Sequence, residues 1–165
     1  STAYLKPGFA FGGSCLPKDL RALTYVGRQN DVATPMLGNV MGSNRAHIDY
    51  ALKLVTQSGK RKIGMIGLSF KPGTDDLRES PAVDLARKLL DAGMVLDVYD
   101  PALRPEQLVG QNLGYAFAFL PMIESLLVDR PTAESRRYDR VIATRRLVDS
   151  LDLGGQAVLD LSSCA

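Results

Sequence analysis

KIGMIGLSFKPGTDDLRESPAVDLARKLLDAGMVLDVYD, Lys62–Asp100, changes its hydrophobic period twice. KIGMIGLSF, Lys62–Phe70, is a short apolar run between basic and turn residues, the pattern of a strand buried on both faces. SPAVDLARKLLDAG follows, with Ser80 in the N-cap position, Pro81 at the first helical position and Gly93 as a helix stop. MVLDVYDP is then a second strand. Strand, helix and strand in succession require a parallel pair joined by a right-handed crossover. SLLVD, YDRVIATRRLVDSL and QAVLDLSS repeat the alternation, so residues 60–165 are predicted to form a Rossmann-like, doubly wound α/β domain around a parallel sheet. In such a sheet the ligand crevice lies at the carboxyl ends of the strands, which puts SFKPGTDDLRES, Ser69–Ser80, in functional territory.

Gly64 and Gly67 give G-x-x-G without the third glycine of the dinucleotide fingerprint. Asp100 ends the second strand where a ribose-binding acid would sit, and alone it is a weak signal. The domain is therefore expected to be Rossmann-like without holding a dinucleotide in the standard way.

Upstream, residues 1–17 read as a loop punctuated by Pro7, Gly8, Gly12, Gly13 and Pro17. From Lys18 to Ser58 apolar residues recur at helical spacing, predicting two helices broken at NDVATP, the second long, with Pro35 in its first turn and Thr34 as its cap. The expected division is residues 1–59, loop and connector helices, and residues 60–165, the α/β domain. Met36, Leu37, Val40 and Met41 on the long helix suggest a dimer face, hence a homodimer.

Composition removes several classes. With 20 basic and 18 acidic side chains the net charge is +2, too balanced to argue for nucleic acid or a membrane surface. No apolar run approaches the roughly 20 residues of a membrane span. Two cysteines, Cys15 and Cys164, and one histidine give neither a disulfide scaffold nor a metal-ligand spacing, and reduced thiols in a cytoplasmic setting are expected. His47 reads as a helix-surface residue, Cys164 as incidental, and RPTAESRRYDR as a solvated helix.

GFAFGGSCLPKDL, Gly8–Leu20, sets Cys15 beside paired glycines and just before the helix that Pro17 opens. A nucleophilic thiolate is favoured by cationic neighbours or by the positive end of a helix, and Lys18 and the helix start supply both. Gly12 and Gly13 permit close backbone approach to a substrate, with amides that could cradle an oxyanion. Asp19 could order a water or hold a proton. A buried small hydrophobe beside a glycine turn is equally compatible with these residues, and both readings stand at this point.

GFAFGGSCLPKDLRALTY together with GLSFKPGTDDLRESPAVDLARKLLDAG resembles the UDP-glucose/GDP-mannose dehydrogenase family, two long motifs in the right order, with weaker likeness through YDPAL and LPMIESLLVD. The resemblance implies an NAD-dependent oxidation of a sugar-nucleotide C6 alcohol to a carboxylate in two hydride transfers, on GDP-mannose or UDP-glucose, with GFAFGGSCLPKD leaning to GDP-mannose. It implies that Cys15 is the nucleophile, passing through a thiohemiacetal and a thioester, and that Asp19 assists the water step. Lys18 and Arg78 are implied in cofactor binding, and Lys71 in contact with the sugar nucleotide. Tyr4, Leu5, Lys6 and Phe9, with Gly12 and Gly13, are implied in lining the substrate pocket, partly across a dimer interface. Lys6 stands where close relatives carry arginine, which keeps the charge and loses the bidentate fork. An alginate-type or capsular polysaccharide pathway is implied downstream.

The resemblance also places a complete G-x-G-x-x-G domain and further catalytic residues upstream of the GGSC motif. The chain is accordingly expected to be the C-terminal portion of such an enzyme, without dehydrogenase activity alone. A non-catalytic nucleotide-sugar-binding or dimerisation module is the competing expectation. A receiver-type signalling domain ranks last, because that reading of Asp75, Asp76 and Asp100 needs a late lysine and none follows Lys88.

Overall fold

The computed structural model describes residues 8–57, 59 and 61–162. Tyr4, Leu5, Lys6 and Cys164 lie outside the described residues. The chain runs α1 (Leu16–Gln29), α2 (Pro35–Thr56), β1 (Lys62–Ile66), α3 (Pro81–Asp91), β2 (Val95–Tyr99), α4 (Gly110–Phe119), α5 (Ile123–Leu126), α6 (Arg130–Ser135), β3 (Arg140–Ala143) and β4 (Val158–Asp160). The strands form one parallel sheet in the order β2-β1-β3-β4. Ile63 is opposite Leu96 on one side and Arg140 on the other, so β1 is central.

The central strand is buried from Ile63 to Ile66, as a strand covered on both faces requires. Leu85, Ala86 and Leu89 of α3 are fully buried on one side, in the same apolar cluster as Met65 and Val98. Burying a leucine or methionine side chain of this kind contributes about 1.5–3 kcal/mol. α3 stops as its glycine predicts: Gly93 has φ +78°, its N–H reaches Leu90 O, and Met94 N–H reaches Leu89 O. Ile48, Ala51 and Val55 of α2 join the same cluster, which anchors the long helix to the sheet domain.

Four local expectations change. β1 ends at Ile66 rather than Phe70, because Gly67 turns the chain at φ +93° and the Asp100 carboxylate captures the next two amides, Leu68 and Ser69. SLLVD does not form a strand: α5 ends at Leu126 and Asp129 already caps α6, leaving Leu127 to make a single bridge to Val98. Ser80 occupies the N-cap position of α3, but its hydroxyl donates to Leu68 O, 2.7 Å away, instead of capping. Thr34 likewise makes no side-chain cap. Among the described residues no helix is long and apolar enough to cross a membrane.

Candidate functional site

Two loops meet at the carboxyl end of β1. The first, Gly8–Cys15, runs into α1 with Cys15 at the N-cap and its thiol exposed. Its glycines are dictated by close packing. A Cβ on Gly12 would collide with Glu79 O and lie 2.7 Å from Pro81 Cδ, and Gly13 combines φ +88° with the Phe70 ring at 2.7 Å from its Cβ position. The amide of Asn44 on α2 holds the same loop at Phe11, accepting from its N–H at 3.0 Å and donating to its carbonyl at 2.8 Å. Phe9 is buried in the core cluster.

The second loop joins β1 to α3. Asp100 accepts from Leu68 N–H, Ser69 N–H and the Ser69 hydroxyl at 2.9, 3.0 and 3.1 Å. Arg145, after β3, donates to Asp100, to the Ser69 hydroxyl and to the Ser69 carbonyl. Asp100 is therefore fully occupied in building the loop and does not stand free for a ribose. Further along, Asp76 Oδ1 accepts from both the backbone N–H and Nε of Arg78, and Oδ2 accepts from Nη2 at 2.8 Å. The hydrogen-bonded guanidinium holds the Asp76 carboxyl below its ordinary value. The same bond raises Arg78.

Between the loops, Gly12, Gly13, Cys15, Phe70 and Lys71 line a cleft of about 420 Å³. Lys71 Nζ stands 5.4 Å from the centre of the Phe70 ring. A neighbouring cleft of about 610 Å³, lined by Phe9, Ser69, Ser80, Arg145, Arg146 and Ser162 among others, follows the strand ends. The structure thus brings Cys15, Gly12, Gly13 and Lys71 together, with Phe9 in the adjoining cleft and Arg78 on the second loop, paired with Asp76. Lys18 and Asp19 pair with each other at 3.4 Å on the exposed outer turn of α1. Gly64 and Gly67 form no phosphate cradle: the Tyr138 ring lies 2.8 Å from a Cβ at Gly64, and Thr144 Oγ1 is as close to one at Gly67. Glu79 takes φ +53° and pairs with Arg21 of α1, tying the second loop to the helix that Cys15 begins. Asn44, Arg145 and Asn112 escape sequence reading because their partners are distant backbone atoms or a buried carboxylate.

Sheet, crevice and cysteine cleft define a Rossmann-like α/β protein with a thiol and a lysine sharing a cleft beside the strand ends. The chain belongs to the UDP-glucose/GDP-mannose dehydrogenase family: residues 64–147 match the family's UDP binding domain and residues 1–46 its central domain. It is 51% identical over 128 residues to GDP-mannose 6-dehydrogenase of Pseudomonas aeruginosa, an alignment covering 78% of this chain and 29% of that protein. The crystal structure of a ternary complex of GDP-mannose dehydrogenase from P. aeruginosa superposes with a TM-score of 0.85 at 42% identity, over 99% of this chain and 38% of that one. A UDP-glucose dehydrogenase from Pyrobaculum islandicum gives 0.75 at 31% identity, over 94% and 35%. The chain therefore spans about a third of the length of the relatives it matches.

Proposed function

We propose that residues 60–165 bind the nucleotide sugar of an NAD-dependent sugar-nucleotide 6-dehydrogenase, that residues 1–59 bring the catalytic cysteine and a dimer helix to it, and that the substrate is GDP-mannose. The observation that carries this reading is the shared cleft of Cys15 and Lys71. Lys71 meets the charged part of the nucleotide sugar. Phe9, with Tyr4, Leu5 and Lys6, lines the pocket. The Cys15 thiolate adds to the carbonyl carbon of the aldehyde intermediate; a C–S bond forms and the oxygen takes a proton, giving a thiohemiacetal. The Gly12 and Gly13 amides steady that oxygen while it carries charge. After the second oxidation the carbon is held as a thioester; water adds to it with help from Asp19, the C–S bond breaks, and the thiol and a carboxylate result.

NAD, when bound, accepts the hydride of each oxidation. The glycine turn at Gly64 and Gly67 is filled and does not fit a dinucleotide. Arg78 fits its phosphates as a partly exposed guanidinium on the second loop, and Lys18 fits as an exposed cation on the first turn of α1. The chain spans 29% of the P. aeruginosa enzyme, and NADH production from this chain alone is not expected. A homodimer through the helical segment is part of the proposal, since Leu23, Val26 and Met36 are exposed with Leu37, Val40 and Met41 half-buried beside them.

The match to a UDP binding domain and the likeness to a UDP-glucose dehydrogenase favour UDP-glucose as the second reading. Calorimetric titration separates the two. GDP-mannose is expected to bind at least about tenfold more tightly than UDP-glucose, a difference of roughly 1.4 kcal/mol. The reverse order assigns the chain to UDP-glucose, and no binding of either overturns the proposal. NADH formation by the purified chain near the rate of a full-length relative overturns the expectation of inactivity.

A further inference from the structure

Asn44 and Asn112 each clamp the backbone of one of the two site loops. Asn112, in the first turn of α4, accepts from Leu77 N–H at 2.9 Å and donates to Asp75 O at 2.8 Å. These bonds bracket Asp76, whose carboxylate in turn holds Arg78. Asn44 grips Phe11, next to Gly12 and Gly13, in the same two-handed way. Each amide's orientation is fixed by its partners, because a backbone N–H only donates and a carbonyl only accepts. Within the second loop Asp76 N–H goes to the Thr74 hydroxyl and Phe70 N–H to Asp76 O, so the segment that Asn112 holds is linked to the backbone just before Lys71.

We propose that Asn112 and Asn44 are positioning residues: they act through the backbone of the loop that carries Lys71 and through the cysteine loop, setting where Lys71 and Cys15 stand against a bound nucleotide sugar. The consequence for ligand affinity rests on the function proposed above. The clamp itself does not.

The chemistry gives a discriminating test. An ionised aspartate at position 112 can accept from Leu77 N–H but sets a negative oxygen against Asp75 O. The protonated acid, with one O–H and one C=O, restores both bonds of the amide. Asn112→Asp therefore holds one of the two bonds while ionised and both when protonated, whereas Asn112→Ala holds neither at any pH. Two quantities, each as a ratio of variant to wild type, are measured at pH 7.5 and pH 4.5: hydrogen exchange of the Leu77 amide, and the Kd for GDP-mannose. Expected for Asn112→Ala are exchange at least about tenfold faster and affinity about tenfold weaker at both pH values; Asn112→Asp, which keeps the Leu77 bond while its ionised oxygen faces Asp75 O, is expected to exchange more slowly than Asn112→Ala and to recover affinity as pH falls. Asn44→Ala and Asn44→Asp, read at the Phe11 amide, are expected to behave alike. If the alanine variants exchange like wild type at both pH values, the clamp is overturned. If the alanine variants exchange faster while the affinity ratio never leaves one, the positioning role is overturned. If the wild-type chain binds no GDP-mannose, the function proposed above fails, and the exchange ratios alone decide the clamp.

Discussion

Arg145 Nη2 lies 2.8 Å from Asp100 Oδ2, in an ion pair that joins residues 45 positions apart and leaves the carboxylate 2% exposed. It ties the end of β2 to the turn after β3, with Ser69 of the first strand's loop held between them. Asp100 accepts three other bonds from that loop, yet Arg145 is the cation that pairs its buried charge.

Removing one member strands a buried charge. Arg145→Met is expected to destabilise the chain by about 3–5 kcal/mol in urea denaturation, and Asp100→Asn/Arg145→Met together by clearly less than the sum of the single changes. Additive effects would mean that the two residues act independently.

Gly12 is predicted to tolerate no side chain, because a Cβ there meets the Glu79 carbonyl and Pro81, neither of which is a flexible chain end. Gly12→Ala is expected to cost about 1–3 kcal/mol by overpacking. Gly8→Ala, which meets nothing within 4 Å, serves as the control and is expected to leave the melting temperature unchanged.

Asp76 gives a pH signature. Its folded carboxyl is held below the ordinary 3.8, so the contribution of its bonds to Arg78 is complete above pH 3.8 and is lost as pH falls through the lower folded value. Asp76→Asn is expected to lower stability by about 0.5–1 kcal/mol at pH 7, a figure reduced for the partial exposure of Arg78. The gap between the two thermal midpoints is expected to close as pH drops below 3.8.

Lys71 is exposed and makes no ion pair among the described residues, so its removal tests binding rather than folding. Lys71→Ala is expected to weaken GDP-mannose binding about tenfold or more, as loss of a charge-assisted hydrogen bond predicts. Lys71→Arg, with a melting temperature equal to both, is expected to recover part of that loss.

Lys62–Asp100 was readable because its apolar spacing, Pro81 and Gly93 all point to the same strand, helix and strand. The end of β1 was not, since Leu68 and Phe70 extend the apolar run while a left-handed turn at Gly67 and a distant aspartate end the strand. SLLVD has the composition of a strand, yet helix ends on both sides leave it two residues of extended chain. At the site, the glycines and Cys15 announce themselves by residue type. The asparagine clamps do not, because Asn44 and Asn112 take backbone partners 33 and 35 residues away that no local pattern reveals.

The close fit of Gly12 against the Glu79 carbonyl has a consequence for the order of assembly. β1, α3 and β2 are neighbours in the chain, whereas the cysteine loop packs from far upstream against Glu79 and Pro81 at the start of α3. The thiol is therefore expected to acquire its cleft after the sheet forms. Opening at Gly8–Cys15 would withdraw Phe9 from the core while leaving the strand pairs intact, so loss of reactive geometry is expected before loss of the sheet.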